Sequence, residues 1–329
     1  MATIPLTLAC SGYDRTQALQ DGHVKPEGID LTYLPLGMPE SFFRMLHHGE
    51  FGASEMSLSW YTRTVFSDPR PLVAIPVFPS RMFRHSSIYV HAGSGIDSPA
   101  DLRGKRVGCP EYQMTAAVWI KGILADHYGV PVNSVAYRTG GLKEPGRKEV
   151  PMDLPGDISV EAIPDDRTLS DMLESGEIDA LYTAEAPITF VEGSSNVRRL
   201  FDDYETVERD FFRDTGLFPI MHVVVLRADV YAAHPWMAQS LTKAFIEAKK
   251  IAYAELAETV ALKVMLPWLP AHLETTVEAM GEDFWPYGIE ANHQTLATFL
   301  RYSHEQGLSP RLLEPEELFA VETLRTSRI

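Results

Sequence analysis

Pro71-Leu-Val-Ala-Ile-Pro-Val-Phe78 runs straight into Pro79-Ser-Arg-Met-Phe-Arg-His-Ser-Ser-Ile-Tyr-Val90, and the class of the protein turns on what this stretch is. An unbroken apolar run of strand length suits a strand central in a sheet that is covered on both faces. Its end delivers Arg81, Arg84, His85, Ser86 and Ser87, a cationic, donor-rich cluster in an acidic protein. A guanidinium matches a carboxylate or phosphate two bonds at a time, so two arginines beside a histidine suggest an anion site. A solvated turn between two strands is the plain structural alternative.

Working outward, Ile4–Ala9 reads as a first buried strand whose tip carries Ser11, Gly12, Tyr13, Asp14 and Arg15. Pro39–His48 reads as a helix, closed by Gly49. A short strand then meets a helix beginning near Ser57 or Ser59, which brings Glu55, Ser57 and Tyr61 forward as site candidates, with helix capping as the alternative for Ser57. Beyond Gly104–Gly108, Glu111-Tyr-Gln-Met-Thr115 opens a long helix through Tyr128. Two such junctions facing each other would make a cleft. Ser159–Ile163, Thr168–Ser175 and Ile178–Tyr182 read as strand, helix and strand, an alternation that argues an open α/β sheet. Thr139–Gly156, punctuated by glycine and proline, reads as a long surface loop. Phe218–Leu226 is the last strong strand, interrupted by His222, and Pro235–Leu256 a long amphipathic helix.

Composition narrows the function. The chain has 329 residues and a formal net charge of −16, which argues against nucleic acid or an anionic membrane as its partner. Only Cys10 and Cys109 are present, so no disulfide framework or CxxC pair is available, and a reducing compartment is implied. Leu8-Ala9-Cys10 has the letters of a lipoprotein processing site, but the apolar run before it is short, holds Pro5 and follows no Lys or Arg. No run nears the length of a membrane helix. The expectation is a soluble, cytoplasmic protein. No nucleotide-binding glycine motif, GxSxG or HExxH occurs. His47, His48 and Glu50 lack a metal-ligand geometry, since adjacent helical histidines point apart.

Longer segments carry a resemblance. Asp101-Leu-Arg-Gly-Lys-Arg-Val-Gly108 and Ser175-Gly-Glu-Ile-Asp-Ala180 resemble recurring segments of type 2 periplasmic solute-binding proteins. Tyr13-Asp-Arg15, Ser54-Glu-Met-Ser57, Phe78–Ser87, Pro110–Trp119, Phe218–His222, Asp283-Phe-Trp-Pro-Tyr-Gly288 and Phe299–Gly307 together resemble the 4,5-dihydroxyphthalate decarboxylase family over nearly the whole chain. The resemblance implies an α/β, two-lobed type 2 periplasmic-binding-protein-like architecture with a ligand cleft between the lobes. Lobe one would hold residues 1–90 and 218–329, and lobe two residues 91–217.

It also implies a cytoplasmic carboxy-lyase of aromatic catabolism that takes a hydroxylated aromatic dicarboxylate, 4,5-dihydroxyphthalate, to protocatechuate and CO2, with a small aromatic carboxylate as its partner. Direct loss of CO2 from a benzene ring leaves a carbanion that the ring cannot delocalise, so protonating the carboxylate-bearing carbon first is easier. The para hydroxyl, once deprotonated, pushes its electrons into the ring to allow this. Such a site needs an acid near the ring carbon, a partner for the phenol and a clamp for the retained carboxylate. Arg81 and Arg84 are assigned to the carboxylates, His85 or Glu111 to proton transfer, and Glu55 or His222 to the hydroxyls. Arg15, Ser57, Ser87, Tyr112 and Thr115 shape the cleft. No cofactor is required, although a divalent metal chelated by the catechol oxygens stays open. So do a non-catalytic binding protein, a decarboxylase for a related hydroxyaromatic acid, and assembly into a homo-oligomer.

Overall fold

The computed structural model describes residues 3–324. The elements run β1 (Ile4–Cys10), α1 (Asp14–Gln20), β2 (Ile29–Pro35), α2 (Met38–His48), β3 (Ala53–Ser57), α3 (Leu58–Thr64) and β4 (Leu72–Ile75). Next come β5 (Ile88–His91), β6 (Arg106–Cys109), α4 (Thr115–Tyr128), β7 (Ala136–Thr139), β8 (Ser159–Ala162), α5 (Leu169–Glu174), β9 (Ala180–Tyr182), α6 (Ile188–Val191) and β10 (Val197–Arg199). The chain closes with α7 (Tyr204–Thr215), β11 (His222–Arg227), α8 (Ala228–Ala233), α9 (Trp236–Leu256), α10 (Leu269–Met280) and α11 (His293–Glu305).

Two units divide these elements. The first comprises the chain up to Arg81, Ile220–Leu296 and the stretch from Glu314 onward. Its sheet has the order β2-β1-β3-β11-β4, in which β1 lies parallel to β2 and β3 while β11 runs antiparallel to β3 and β4. Leu8, Ala53, Met56, Ala74 and Val223–Leu226 are fully buried, so the central strands carry apolar side chains on both faces. The apolar run Pro71–Phe78 yields a strand only over Leu72–Ile75, because Pro76 has no N–H for the ladder. That strand lies at the end of the sheet rather than in its centre. Its outer edge is covered instead by the segment at Phe319–Ala320, where Ala320 N donates to Ala74 O at 2.8 Å. His222 does not interrupt the last strand but begins it, and its N–H and that of Met221 both donate to Ser80 O.

The second unit comprises Met82–Pro219 and Ala297–Leu313, with a sheet of order β10-β5-β9-β6-β7-β8. Tyr89, Leu169, Leu173, Ile178 and Leu181 form its core cluster. The division differs from the expected one at residues 82–90, 218–219 and 297–313. Residues 82–90 belong here because β5 pairs antiparallel with β9 and β10. Ala297–Leu313 joins because it packs on α4: a Cβ on Gly122 would meet the Tyr302 ring at 2.1 Å, and Gln306 Nε2 donates to Val118 O at 2.9 Å. Helix α4 is buried from Thr115 through Leu124, whereas α2 shows the one-sided burial of a surface helix and ends on Gly49 at φ +56°. No helix among the described residues is long and apolar enough to cross a membrane.

Candidate active site

In the first unit β11 lies beside β3 in a register that sets His222 opposite Ser57 and Val224 opposite Glu55. Residues two apart share a face, so Glu55 and His222 are diagonal neighbours across the pair. His222 Nδ1 lies 2.6 Å from Glu55 Oε1. The same carboxylate accepts from the Tyr13 hydroxyl at 2.7 Å, from Ser11 N at 3.0 Å and from the Cys10 thiol at 3.5 Å, all three from the tip of β1 and the turn after it.

Glu55 is wholly buried. Burial by itself would raise its carboxyl, but the hydrogen bond and charge of His222, with the donors from Ser11 and Tyr13, outweigh this and hold the group below the usual carboxylate range. An ionised Glu55 accepts only, so the proton of the short contact sits on His222 Nδ1. The other ring nitrogen, Nε2, makes no hydrogen bond to a described residue and is the basic site whenever the ring is neutral. The Phe42 ring stands edge-on to the imidazole at 5.0 Å and fixes its plane.

Arg15 is held beside this pair. Its guanidinium lies 4.1 Å from the Tyr13 ring centroid and 4.4 Å from that of Trp285. Nε donates to Pro79 O at 2.6 Å and Nη1 to Asp14 Oδ1 at 2.9 Å, which leaves Nη2 without a described partner. Ser57 caps α3, its Oγ accepting from Trp60 N at 3.5 Å. Arg81 serves the fold: buried under the Phe78 ring, it donates to Asn292 Oδ1 and, at 2.8 Å, to Pro286 O. Desolvation lowers it to about 9.

The remaining expected residues lie in the second unit. Arg84 donates to Ser87 Oγ at 3.4 Å and is lowered by burial to about 10, with the Glu208 carboxylate acting against that shift. His85 is enclosed by the rings of Tyr128, Phe201 and Phe211 at 5.8, 5.3 and 5.1 Å, and neither ring nitrogen has a described hydrogen-bond partner. Burial lowers it to about 4, which keeps it neutral at pH 7. Glu111 pairs with Arg147 at 2.5 Å, and Thr115 is the buried first residue of α4. Tyr112 donates from its hydroxyl to Gln306 O at 3.1 Å.

Sequence patterning alone does not single out several polar residues found here. Tyr13, Cys10, Trp285 and Tyr287 surround the first-unit cluster, and all but Cys10 fall within segments that carry the family resemblance. In the second unit the buried Lys121 donates to Tyr112 O at 2.7 Å and lies 3.1 Å from that ring's centroid. Glu149 accepts from Gln113 N at 3.2 Å. Burial lowers Lys121 to about 7 and raises Glu149 to about 7. Among the described residues, no three His, Cys, Asp or Glu side chains gather into a group that could hold a metal ion.

Chemically, the first-unit cluster offers one basic nitrogen backed by a buried carboxylate, with a clamped cation nearby. Such an arrangement can exchange a proton and hold an anion beside it.

The chain is 40% identical over 330 residues to a 4,5-dihydroxyphthalate decarboxylase of Comamonas testosteroni, with all of both chains covered. A Pseudomonas putida protein of the same description is 41% identical over 214 residues, covering 65% of this chain and 83% of that one. No family model matches. Among solved structures, a protein from Bordetella bronchiseptica RB50 superposes with a TM-score of 0.55 at 20% identity, covering 98% of this chain and 96% of that one. The periplasmic aliphatic sulphonate binding protein SsuA of Escherichia coli does so with a TM-score of 0.52 at 15% identity, covering 98% and 99%. The chain therefore belongs to the 4,5-dihydroxyphthalate decarboxylase family, built on an α/β fold shared with two-lobed solute-binding proteins.

Proposed function

We propose that this protein is a carboxy-lyase that converts 4,5-dihydroxyphthalate to protocatechuate and CO2, with Glu55 and His222 as its acid–base pair. The observation that carries the residue assignment is the 2.6 Å contact between His222 Nδ1 and a wholly buried Glu55. In this reading His222 Nε2 takes the proton of the hydroxyl para to the departing carboxylate. Glu55 stabilises the imidazolium that forms, and the phenolate pushes electrons into the ring toward the carbon to be protonated. Once CO2 has left, the ring is aromatic again and His222 returns its proton to the phenolate. Arg15 clamps the retained carboxylate.

The ring carbon needs a separate acid. Sequence points to Glu111 or His85 for that role, and His85 in its aromatic enclosure, neutral at pH 7, is a poor donor. Metal assistance suits these residues badly. Both Glu55 oxygens already accept hydrogen bonds, Glu111 is engaged by Arg147, and both His85 nitrogens are shut in by rings. Two buried unpaired cysteines support a reducing, cytoplasmic setting.

Purified protein incubated with 4,5-dihydroxyphthalate, with and without chelator, tests the reading through CO2 release and protocatechuate formation. Product that survives chelation supports it. Stabilisation by the compound without turnover favours a binding protein instead.

A further inference from the structure

The segment Asp283–Gly288 is stapled to the segment Pro76–Arg81 by three bonds. Gly288 N donates to Pro76 O at 2.8 Å, Trp285 Nε1 to Phe78 O at 2.9 Å, and Arg81 to Pro286 O at 2.8 Å. Tyr287 lies inside these staples, between Pro286 and a glycine at φ +90°. Its backbone is therefore held on both sides, and Lys249 Nζ stands 4.9 Å from its ring centroid. The residue is only 8% exposed, and its hydroxyl has no hydrogen-bond partner among the described residues.

Leaving a buried hydroxyl unbonded costs stability, so such a group in a rigidly held side chain calls for a reason. Its surroundings give one. Arg81 donates to the carbonyl of Pro286, the residue immediately before Tyr287. Arg15 is the cation stacked on Trp285, two residues before Tyr287, and its Nη2 also bonds no described residue. Two unspent donors, one of them charged, thus belong to the same corner of the first unit as the Glu55–His222 pair.

We propose that the Tyr287 hydroxyl is a substrate-binding donor, hydrogen-bonded to the carboxylate that Arg15 clamps. The proposal deepens the decarboxylase reading and rests on it. Tyr287→Phe removes the hydroxyl and nothing else. Because no protein group loses a partner, the melting temperature of the ligand-free variant should match or exceed that of the wild type. KM for 4,5-dihydroxyphthalate should rise about tenfold or more, as expected for losing one hydrogen bond to a charged oxygen, with a smaller change in kcat.

A ligand-free Y287F that melts lower than wild type overturns the proposal, since the hydroxyl then had a structural partner. So does a Y287F with unchanged KM beside an active wild type, and in that case the decarboxylase reading stands. Wild-type protein that neither turns over nor is stabilised by the compound removes both.

Discussion

Replacing Glu55 by Gln tests the acid–base pair with the least change of shape. The carboxylate accepts four hydrogen bonds, two on each oxygen: His222 Nδ1 and Tyr13 on Oε1, Ser11 N and Cys10 on Oε2. The amide keeps one oxygen. If that oxygen faces His222 and Tyr13, the new NH2 points at the Ser11 N–H and the Cys10 thiol. If it faces the other way, His222 loses its acceptor. Either arrangement sets donor against donor in a wholly buried place, at about 1–3 kcal/mol per unsatisfied group.

Activity should suffer more than stability. An imidazolium without its buried counter-charge forms less readily, and an amide no longer fixes the tautomer. Changes of this kind in acid–base pairs lower rates by about 10²–10⁴-fold. We expect kcat/KM of E55Q to fall by at least about 10²-fold at pH 7, within that range. The pH dependence of stability supplies an independent check. The folded carboxyl of Glu55 is held below its ordinary value, so ionised Glu55 favours the folded state above the unfolded pKa of about 4.3. That contribution disappears as pH falls through the lower folded value, and E55Q lacks it at every pH. Stopped assays of protocatechuate formation and thermal melts between pH 3 and 8 measure both. An E55Q enzyme within threefold of wild-type kcat/KM would refute the role given to the pair.

Three further outcomes are expected. Arg15→Leu should raise KM about tenfold or more while moving the melting temperature little, because its guanidinium spends only two donors on the protein; an unchanged KM removes Arg15 from the site. Arg81→Met should act the other way, lowering stability by about 2–4 kcal/mol in chemical denaturation through loss of the Asn292 and Pro286 bonds, and a variant of full stability contradicts the structural role. Glu149 is raised to about 7, so between the unfolded value and pH 7 the folded state binds the extra proton and its stability falls as pH rises. Glu149→Gln should therefore gain on wild type in melts taken from pH 4.5 to 7, and a constant difference would show that Glu149 does not titrate there.

The alternation of strands and helices is legible because each element is local, and so are most helix starts, such as Ser57 capping α3. Glu55 and His222 are each visible as polar residues beside apolar ones in segments that read as strands. Their pairing is not, since it depends on β11 arriving beside β3 from 167 residues away. The same limit explains the basic cluster. Arg81 reads as a ligand donor until Asn292 appears next to it, and His85 reads as an acid until Tyr128, Phe201 and Phe211 close around it. Tyr13 and Tyr287 stay hidden for another reason: a tyrosine in an apolar setting looks like packing, and only an unbonded or carboxylate-bound hydroxyl distinguishes it.

The place of β11 between β3 and β4 also bears on synthesis at the ribosome. Strands β3 and β4 emerge early, yet they cannot pair with each other in the finished sheet, and the strand that joins them lies at His222–Arg227. Every strand of the second sheet, from Ile88 to Arg199, is made before it. The first-begun sheet is thus the last completed, and until then β3 waits with one side open and Glu55 without its histidine. A nascent chain stalled before residue 222 would hold a finished set of second-sheet strands, an exposed pair of edges for chaperones to shield, and no acid–base pair.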